Sequence, residues 1–260
     1  MKVELHPSGA SILFDPKWHS YKNLTRPRQR FISGTKFLGQ FFGKFDRESI
    51  SAKYAKKHNK SQTEVLNMWD RKGEIGREMG TLIHDYLEAK FLASNKDARP
   101  LHDVAALHKD EEIQAAALRR MPQADIAYDK LRERYDIIAV EKIVADLDGS
   151  RAGMIDLVLR DRLTGLECLG DWKTNAKIDL ENRWQQGLSC LRHLDDCSYN
   201  KYAIQMELYK QIGLKEGYFK EPMGPNVIIH ITDDDHTILP CPDMSREIKA
   251  MIQEADELIV

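Results

Sequence analysis

The sequence predicts an α/β fold, a mixed central sheet flanked by helices, on three observations. Residues 153–173 read as two β-strands joined by the turn Asp161-Arg162-Leu163-Thr164-Gly165, because apolar β-formers run up to each side of a Gly-containing polar loop. Tyr135 to Leu147 has strand-type alternation, with Ile137, Ala139, Glu141, Ile143 and Ala145 expected on one face. Helical stretches lie on both sides of these strands, and the first opens with the capping box Ser61-Gln62-Thr63-Glu64. A chain of 260 residues can bury a substantial core, so one elaborated domain is expected over 1–260. Within it, 1–60 would be a basic N-terminal extension and 61–215 the core bearing the motifs described below.

Taken in order, residues 1–30 are punctuated by Pro7, Pro16 and Pro27 and read as an irregular arm with one strand at Ser11 to Phe14. The arm ends in a basic run from Tyr21 to Arg30 that is suited to lie along a phosphate backbone. Phe31 to Lys60 interleaves aromatics with lysines and arginines. That mixture suits base stacking with phosphate contact by Lys36 and its neighbours, but Phe37 and Phe41 fit core positions of a helix better. The helix after Ser61 is expected to run, with a break near Gly73, into a stretch carrying Gly80, His84 and Glu88, where Gly80 allows close approach to the sheet. Asn95 to Lys109 is a polar tether, and Glu111–Arg120 and Gln123–Arg134 are helices divided by Pro122. Beyond the hairpin, helices are expected near Asp179 to Leu194, over Asn200 to Leu214 and over Ser245 to Ile259. Strands are expected at Asn226 to Thr232 and His236 to Leu239.

The net charge of −2 says nothing about nucleic acid, but its distribution is uneven. Twelve Lys or Arg residues face only Asp46 and Glu48 between Pro16 and Lys60, while nine acids face Arg246 and Lys249 from Glu221 onward. A basic flank for phosphates and a set of solvated helix faces are equally good readings. Cys168, Cys190, Cys197 and Cys241 include no Cys-x-x-Cys pair and no secretory leader precedes them, so free thiols and an intracellular, cytoplasmic setting are expected. No apolar run reaches membrane-spanning length, so no membrane association is expected.

The chemistry concentrates in the hairpin. Asp156 near the start of its first strand and Asp171 near the end of its second can meet at one end of an antiparallel pair. Lys173, two residues beyond Asp171, points the same way. Carboxylate oxygens suit hard divalent cations, and a neighbouring lysine can orient or activate a metal-bound water. Glu141, a carboxylate on an otherwise apolar strand, needs a partner such as a metal, a lysine or His84.

Asp156 and Asp171-Trp172-Lys173 resemble the hallmark of the PD-(D/E)XK nuclease superfamily, with Ile155 where a Pro often precedes the first Asp. Gly80-Thr81-Leu82-Ile83-His84-Asp85-Tyr86-Leu87-Glu88 is similar to the Gly-x-x-x-His-x-x-x-Glu motif of the RecB-like branch. Gln205-Met206-Glu207-Leu208-Tyr209 is similar to its Gln-x-x-x-Tyr motif. The resemblance covers about residues 61 to 215, and the four motifs in family order are far more specific than any one of them.

It implies a PD-(D/E)XK, restriction-endonuclease-like core and a metal-dependent deoxyribonuclease. Asp156, Asp171, His84 and the Trp172 carbonyl would hold Mg²⁺ or Mn²⁺, Lys173 would activate or position the attacking water, and Glu141 would assist. Gln205 and Tyr209, with Lys36 and Arg30, would bind substrate. The resemblance to small stand-alone exonucleases of that branch, mitochondrial and phage, favours action on DNA with a single-stranded or free end, in repair, recombination or genome processing. An endonuclease, or a weakly catalytic DNA-binding or scaffolding module, is the alternative, and protein partners in a repair assembly fit either. No iron–sulfur cluster is expected, because no cysteine precedes Cys168 and no C-terminal cysteine triplet follows.

Overall fold

A computed structural model describes residues 1–94 and 108–257. The expected tether falls mostly, and the end of the last helix wholly, outside them. The architecture is mixed α/β, with a six-stranded mixed sheet flanked by helices. The central strand is β6 (Arg151–Asp161). Its whole length pairs antiparallel with β5 (Tyr135–Asp146). Its other edge is shared between β4 (Ile32–Ser33), parallel at Arg151 and Ala152, and β7 (Glu167–Lys173), antiparallel from Leu157 onward. β8 (Val227–Ile231) runs parallel to β7, and β9 (His236–Pro240) closes the sheet.

Gly153 to Asp156 therefore have no strand partner on the β4–β7 edge. The ring of Tyr209, on α5 (Ser198–Glu216), fills this gap. A Cβ on Gly153 would lie 2.1 Å from Tyr209 Cε1, and one on Gly34 would lie 2.5 Å from the same atom. Both glycines are required by a ring, not by a turn.

Helices cover both faces. On one, α5 and α1 (Gly34–Leu38) bury Phe37, Ile204 and Leu208 against Val144, Ile155 and Ile228, and α6 (Ser245–Glu257) packs on α5. On the other, α3 (Gln62–Ser94) and α4 (Glu111–Arg134) bury Ile83, Leu87 and Leu131 against Leu157, Leu159 and Trp172. α2 (Arg47–His58) packs on the start of α3.

Several expectations need correcting. Residues 1–30 are not an irregular arm, since β1 (Lys2–Leu5), β2 (Ser11–Asp15) and β3 (Ser20–Asn23) form an antiparallel sheet. Ile12, Phe14 and Tyr21 from it bury against Ile143, Ala145 and Ala152. α3 is continuous through Gly73. α4 is continuous through Pro122, which denies the Leu118 carbonyl its helical donor at an exposed residue.

Residues 179–194 are irregular except for a 3₁₀ turn at Ser189–Leu191. Asn182 accepts the N–H groups of Trp184 and Gln185 on its side chain and donates to Asp196 O, and its own N–H donates to Asp195 Oδ2. These local side-chain bonds compete successfully with a helix. Finally, Ile137, Ala139 and Ile143 do not share one β5 face. A register shift puts Ile137 and Ala139 on opposite sides, and Ile143 packs instead against the β1–β3 sheet.

Candidate metal centre

Glu141 and Asp156 lie opposite each other, between the register pairs Val140/Leu157 and Lys142/Ile155. Face alternation is reset on both strands at this point. Val144 and Ile155 face α5, and regular alternation would send Val140 and Leu157 the same way, yet both pack against α3 and α4. Glu141 absorbs the change with a left-handed backbone, φ 51°, uncommon for a non-glycine residue. Two carboxylates thus project from a shared break in the sheet, under α3.

His84, on α3, reaches down to the same place. Its Nε2 is 3.1 Å from Trp172 O and its Nδ1 is 3.5 Å from Asp156 Oδ2. A carbonyl only accepts, so the proton is assigned to Nε2. Nδ1 then faces the Asp156 carboxylate. Ligand atoms of His84, Glu141 and Asp156 lie within 4.8 Å of one another. A cavity of about 10 Å³ lies among His84, Glu88, Glu141 and Asp156, closed behind by Tyr128 and Leu157. The residues fit a cation: an imidazole oriented through its other nitrogen by a backbone carbonyl, two carboxylates, and space between them. Gly80 sets the depth of α3, since a Cβ there would stand 3.0 Å from Thr174 Oγ1 at the end of β7.

Electrostatics point the same way. Burial, together with the charges of Asp156 and Glu88, pushes the Glu141 carboxyl up to about 8, against a smaller opposing pull from Lys2. Crowded carboxylates of this kind bind a proton or a cation.

Asp171 and Lys173 form the second half of the site. Their side chains are ion-paired, and Lys173 Nζ stands 4.7 Å from the Tyr202 ring centroid. Burial pushes Asp171 up to about 6, with Lys173 pulling down and Asp156 pushing up. Burial works against the Lys173 ammonium, yet the charges of Asp171 and Asp156 hold it above its ordinary range. Asp156 joins the halves: its Oδ2 accepts the Trp172 N–H at 2.9 Å and faces His84.

The other expected residues are placed differently. Trp172 is buried, and its carbonyl, expected as a ligand, accepts from His84. Gln205 Nε2 donates to Tyr209 Oη at 3.3 Å, and burial pushes the Tyr209 phenol up to about 12. Tyr209 is thus a packing residue behind the site, with its ring on Gly153, where substrate contact was expected. Lys36 is exposed on α1, beside α5, and Arg30 is exposed just before β4, bridged to Lys22. The cluster that forms is tighter around Glu141 than expected and leaves Asp171 with Lys173.

Three neighbours escaped the sequence reading. Lys2 donates to Val140 O at 3.4 Å and places a cation behind Glu141. Tyr21 on β3 is close enough to feel Tyr209, Glu141 and Asp156, though burial is the main cause of its raised pKa. Tyr202 covers Lys173. Only Tyr202 carried a signal, one helical turn before Gln205.

Among the described residues no helix is long and apolar enough to cross a membrane. No family model matches the chain, and no curated protein matches it. Among solved structures, the crystal structure of a protein called SSO0001 matches at 11% identity and a TM-score of 0.31, covering 68% of this chain and 74% of that chain, a likeness too distant to argue from.

Proposed function

We propose that the protein is a divalent-cation-dependent deoxyribonuclease with a PD-(D/E)XK-type core, acting by preference as an exonuclease on single-stranded ends. The observation that carries this reading is the convergence of His84, Glu141 and Asp156 within 4.8 Å at a break in the sheet, beside the Asp171–Lys173 pair. His84, Glu141 and Asp156 would hold Mg²⁺ or Mn²⁺, with Asp171 adjoining. A bound cation supplies Lewis-acid polarisation of a scissile phosphate and neutralises charge that grows on the departing oxygen.

The chain's own groups do the rest. Lys173, whose ammonium form the neighbouring Asp171 and Asp156 carboxylates favour, would position or activate the attacking water. Trp172 fixes both sides of the cluster, its N–H on Asp156 and its carbonyl on His84. Tyr209, locked over Gly153 and hydrogen-bonded to Gln205, holds the unpaired edge of β6 so that Asp156 keeps its direction.

The test is hydrolysis of end-labelled single-stranded, duplex and circular DNA with Mg²⁺, wild type beside Asp171→Asn. Metal-dependent loss of label from linear single strands but not circles supports an exonuclease. Cutting of circles makes it an endonuclease, and binding without hydrolysis makes it a DNA-binding module.

A further inference from the structure

The stretch between α1 and α2, with the start of α3, presents a cluster of rings to solvent. Phe45 is 66% exposed, and its ring centroid lies 6.0 Å from that of Trp69. Trp69 lies 6.0 Å from Tyr54, which stacks on His58 at 4.1 Å. Exposed rings usually cost solubility, yet these are held in place. Arg47 pairs with Asp70 at 2.7 Å and donates to Leu66 O, while Gln62 donates to Ser51 Oγ and Glu48 O, clamping α2 to α3. Lys44, Lys53 and Lys57 are exposed in the same segment.

The shelf opens into a groove of about 640 Å³ between Lys44, Phe45 and Ile50 on one wall and Asn182, Gln185 and Tyr202 on the other. Trp184, 93% exposed, stands next to Gln185 in the chain. Tyr202 on that wall is also the ring that covers Lys173. The acids along it are already engaged. Asp46 caps α2 through the Ser49 N–H, Asp179 pairs with Lys177, Glu181 with Arg183, and Asp196 with Lys201. What remains to meet a ligand is aromatic and amide surface with Lys44 on the wall, and the further exposed lysines, Lys53 and Lys57, lie on α2 outside the groove.

We propose that the Phe45–Tyr54–Trp69 shelf and the groove behind it bind the unstacked bases of a single nucleic-acid strand and lead that strand to Lys173. Every base offers a π-face, so rings of this kind bind a strand without reading its sequence, while Lys44 and the exposed lysines of α2 meet its phosphates. A duplex keeps its bases stacked inside and offers the shelf only backbone. The proposal rests on the nuclease reading only for the direction it gives the strand, towards Lys173.

The experiment is fluorescence anisotropy of a labelled oligothymidylate in EDTA, so that nothing is cleaved. An abasic phosphodiester of equal length and a duplex serve as competitors, with wild type, Phe45→Ala and Tyr54→Ala as proteins. Loss of one base–ring stack predicts an increase in Kd of about 5- to 140-fold for Phe45→Ala on oligothymidylate, and no change on the abasic chain. Phe45 is exposed, so the variant keeps its fold, which circular dichroism verifies. An unchanged Kd for both variants, or equal losses on the abasic chain, overturns the proposal. If Phe45→Ala weakens binding but wild type hydrolyses no DNA with Mg²⁺, the strand site stands and the nuclease reading falls. If hydrolysis occurs and binding ignores both rings, the groove falls and the nuclease reading stands.

Discussion

Replacing Glu141 by Gln removes a charge from the carboxylate cluster without changing its shape, and the consequences for stability and for metal binding have opposite signs. In the folded protein the Glu141 carboxyl is raised from its ordinary 4.5 to about 8, by burial first and then by Asp156 and Glu88. The folded state therefore holds this proton more tightly than the unfolded chain does. Between those two values the unfolded chain binds fewer protons, so stability that is fully present at low pH is lost as pH rises through about 8. At about 1.36 kcal/mol per unit the ceiling is ~5 kcal/mol, and water reaching this half-buried site reduces the expected loss to about 1–2 kcal/mol.

Glutamine does not titrate, so metal-free Glu141→Gln gains on wild type by about 1–2 kcal/mol between pH 5 and pH 9. Urea unfolding in EDTA at the two pH values reads this directly. Adding Mn²⁺ at pH 8 reverses the order. A ligand that binds only the folded state stabilises by about 2.7 kcal/mol at a hundredfold excess over Kd, and the variant, lacking one carboxylate, gains much less. A variant equally destabilised at both pH values, with an unchanged response to Mn²⁺, would refute the reasoning: Glu141 would then be an ordinary hydrogen-bonded side chain.

Two further outcomes follow from the same geometry. Gly153→Ala drives a Cβ into the Tyr209 ring and is expected to cost about 1–3 kcal/mol. Combined with Tyr209→Ala the two costs fall short of additive, and strict additivity in a double-mutant cycle would show that the ring is not what Gly153 accommodates. Lys173→Met leaves Asp171 buried beside Asp156 without its counter-ion, so its carboxyl rises further. Metal-free Lys173→Met is therefore near wild-type stability at pH 5 and loses about 3 kcal/mol by pH 8, with hydrolysis abolished. Equal stability losses at both pH values would mean that the lysine contributes packing alone.

What the sequence made legible was local. Ser61 and Glu64 bond reciprocally, Ser61 N–H to Glu64 Oε2 at 2.7 Å and Glu64 N–H to Ser61 Oγ at 3.2 Å, as a capping box requires. Asp171 and Lys173 meet because strand parity puts them on one side. Gly80 admits the sheet, and Phe37 and Phe41 are core. Features that depend on distant segments were hidden. The buried face of β1–β3 is defined by Ala152 and Ile143, more than a hundred positions away, while its prolines mark it as irregular.

Leu180, Trp184, Leu188 and Leu191 imitate a helical stripe, but the first three are exposed and the Asn182 side chain takes the backbone donors instead. The left-handed turn at Glu141 had no glycine or asparagine to announce it. That His84, Glu141, Asp156, Asp171 and Lys173 gather was readable from residue type, but the partition was not: the imidazole gathers Glu141 with Asp156, while Asp171 stays with the lysine.

The most direct test is to locate Mn²⁺ by anomalous scattering in crystals soaked at neutral pH, in wild type and in His84→Gln. The account predicts a peak about 2.0–2.3 Å from His84 Nδ1 and from an oxygen of Asp156, with Glu141 adjoining, lost or weakened in the variant. Mn²⁺ bound elsewhere, or a peak indifferent to His84, would contradict it.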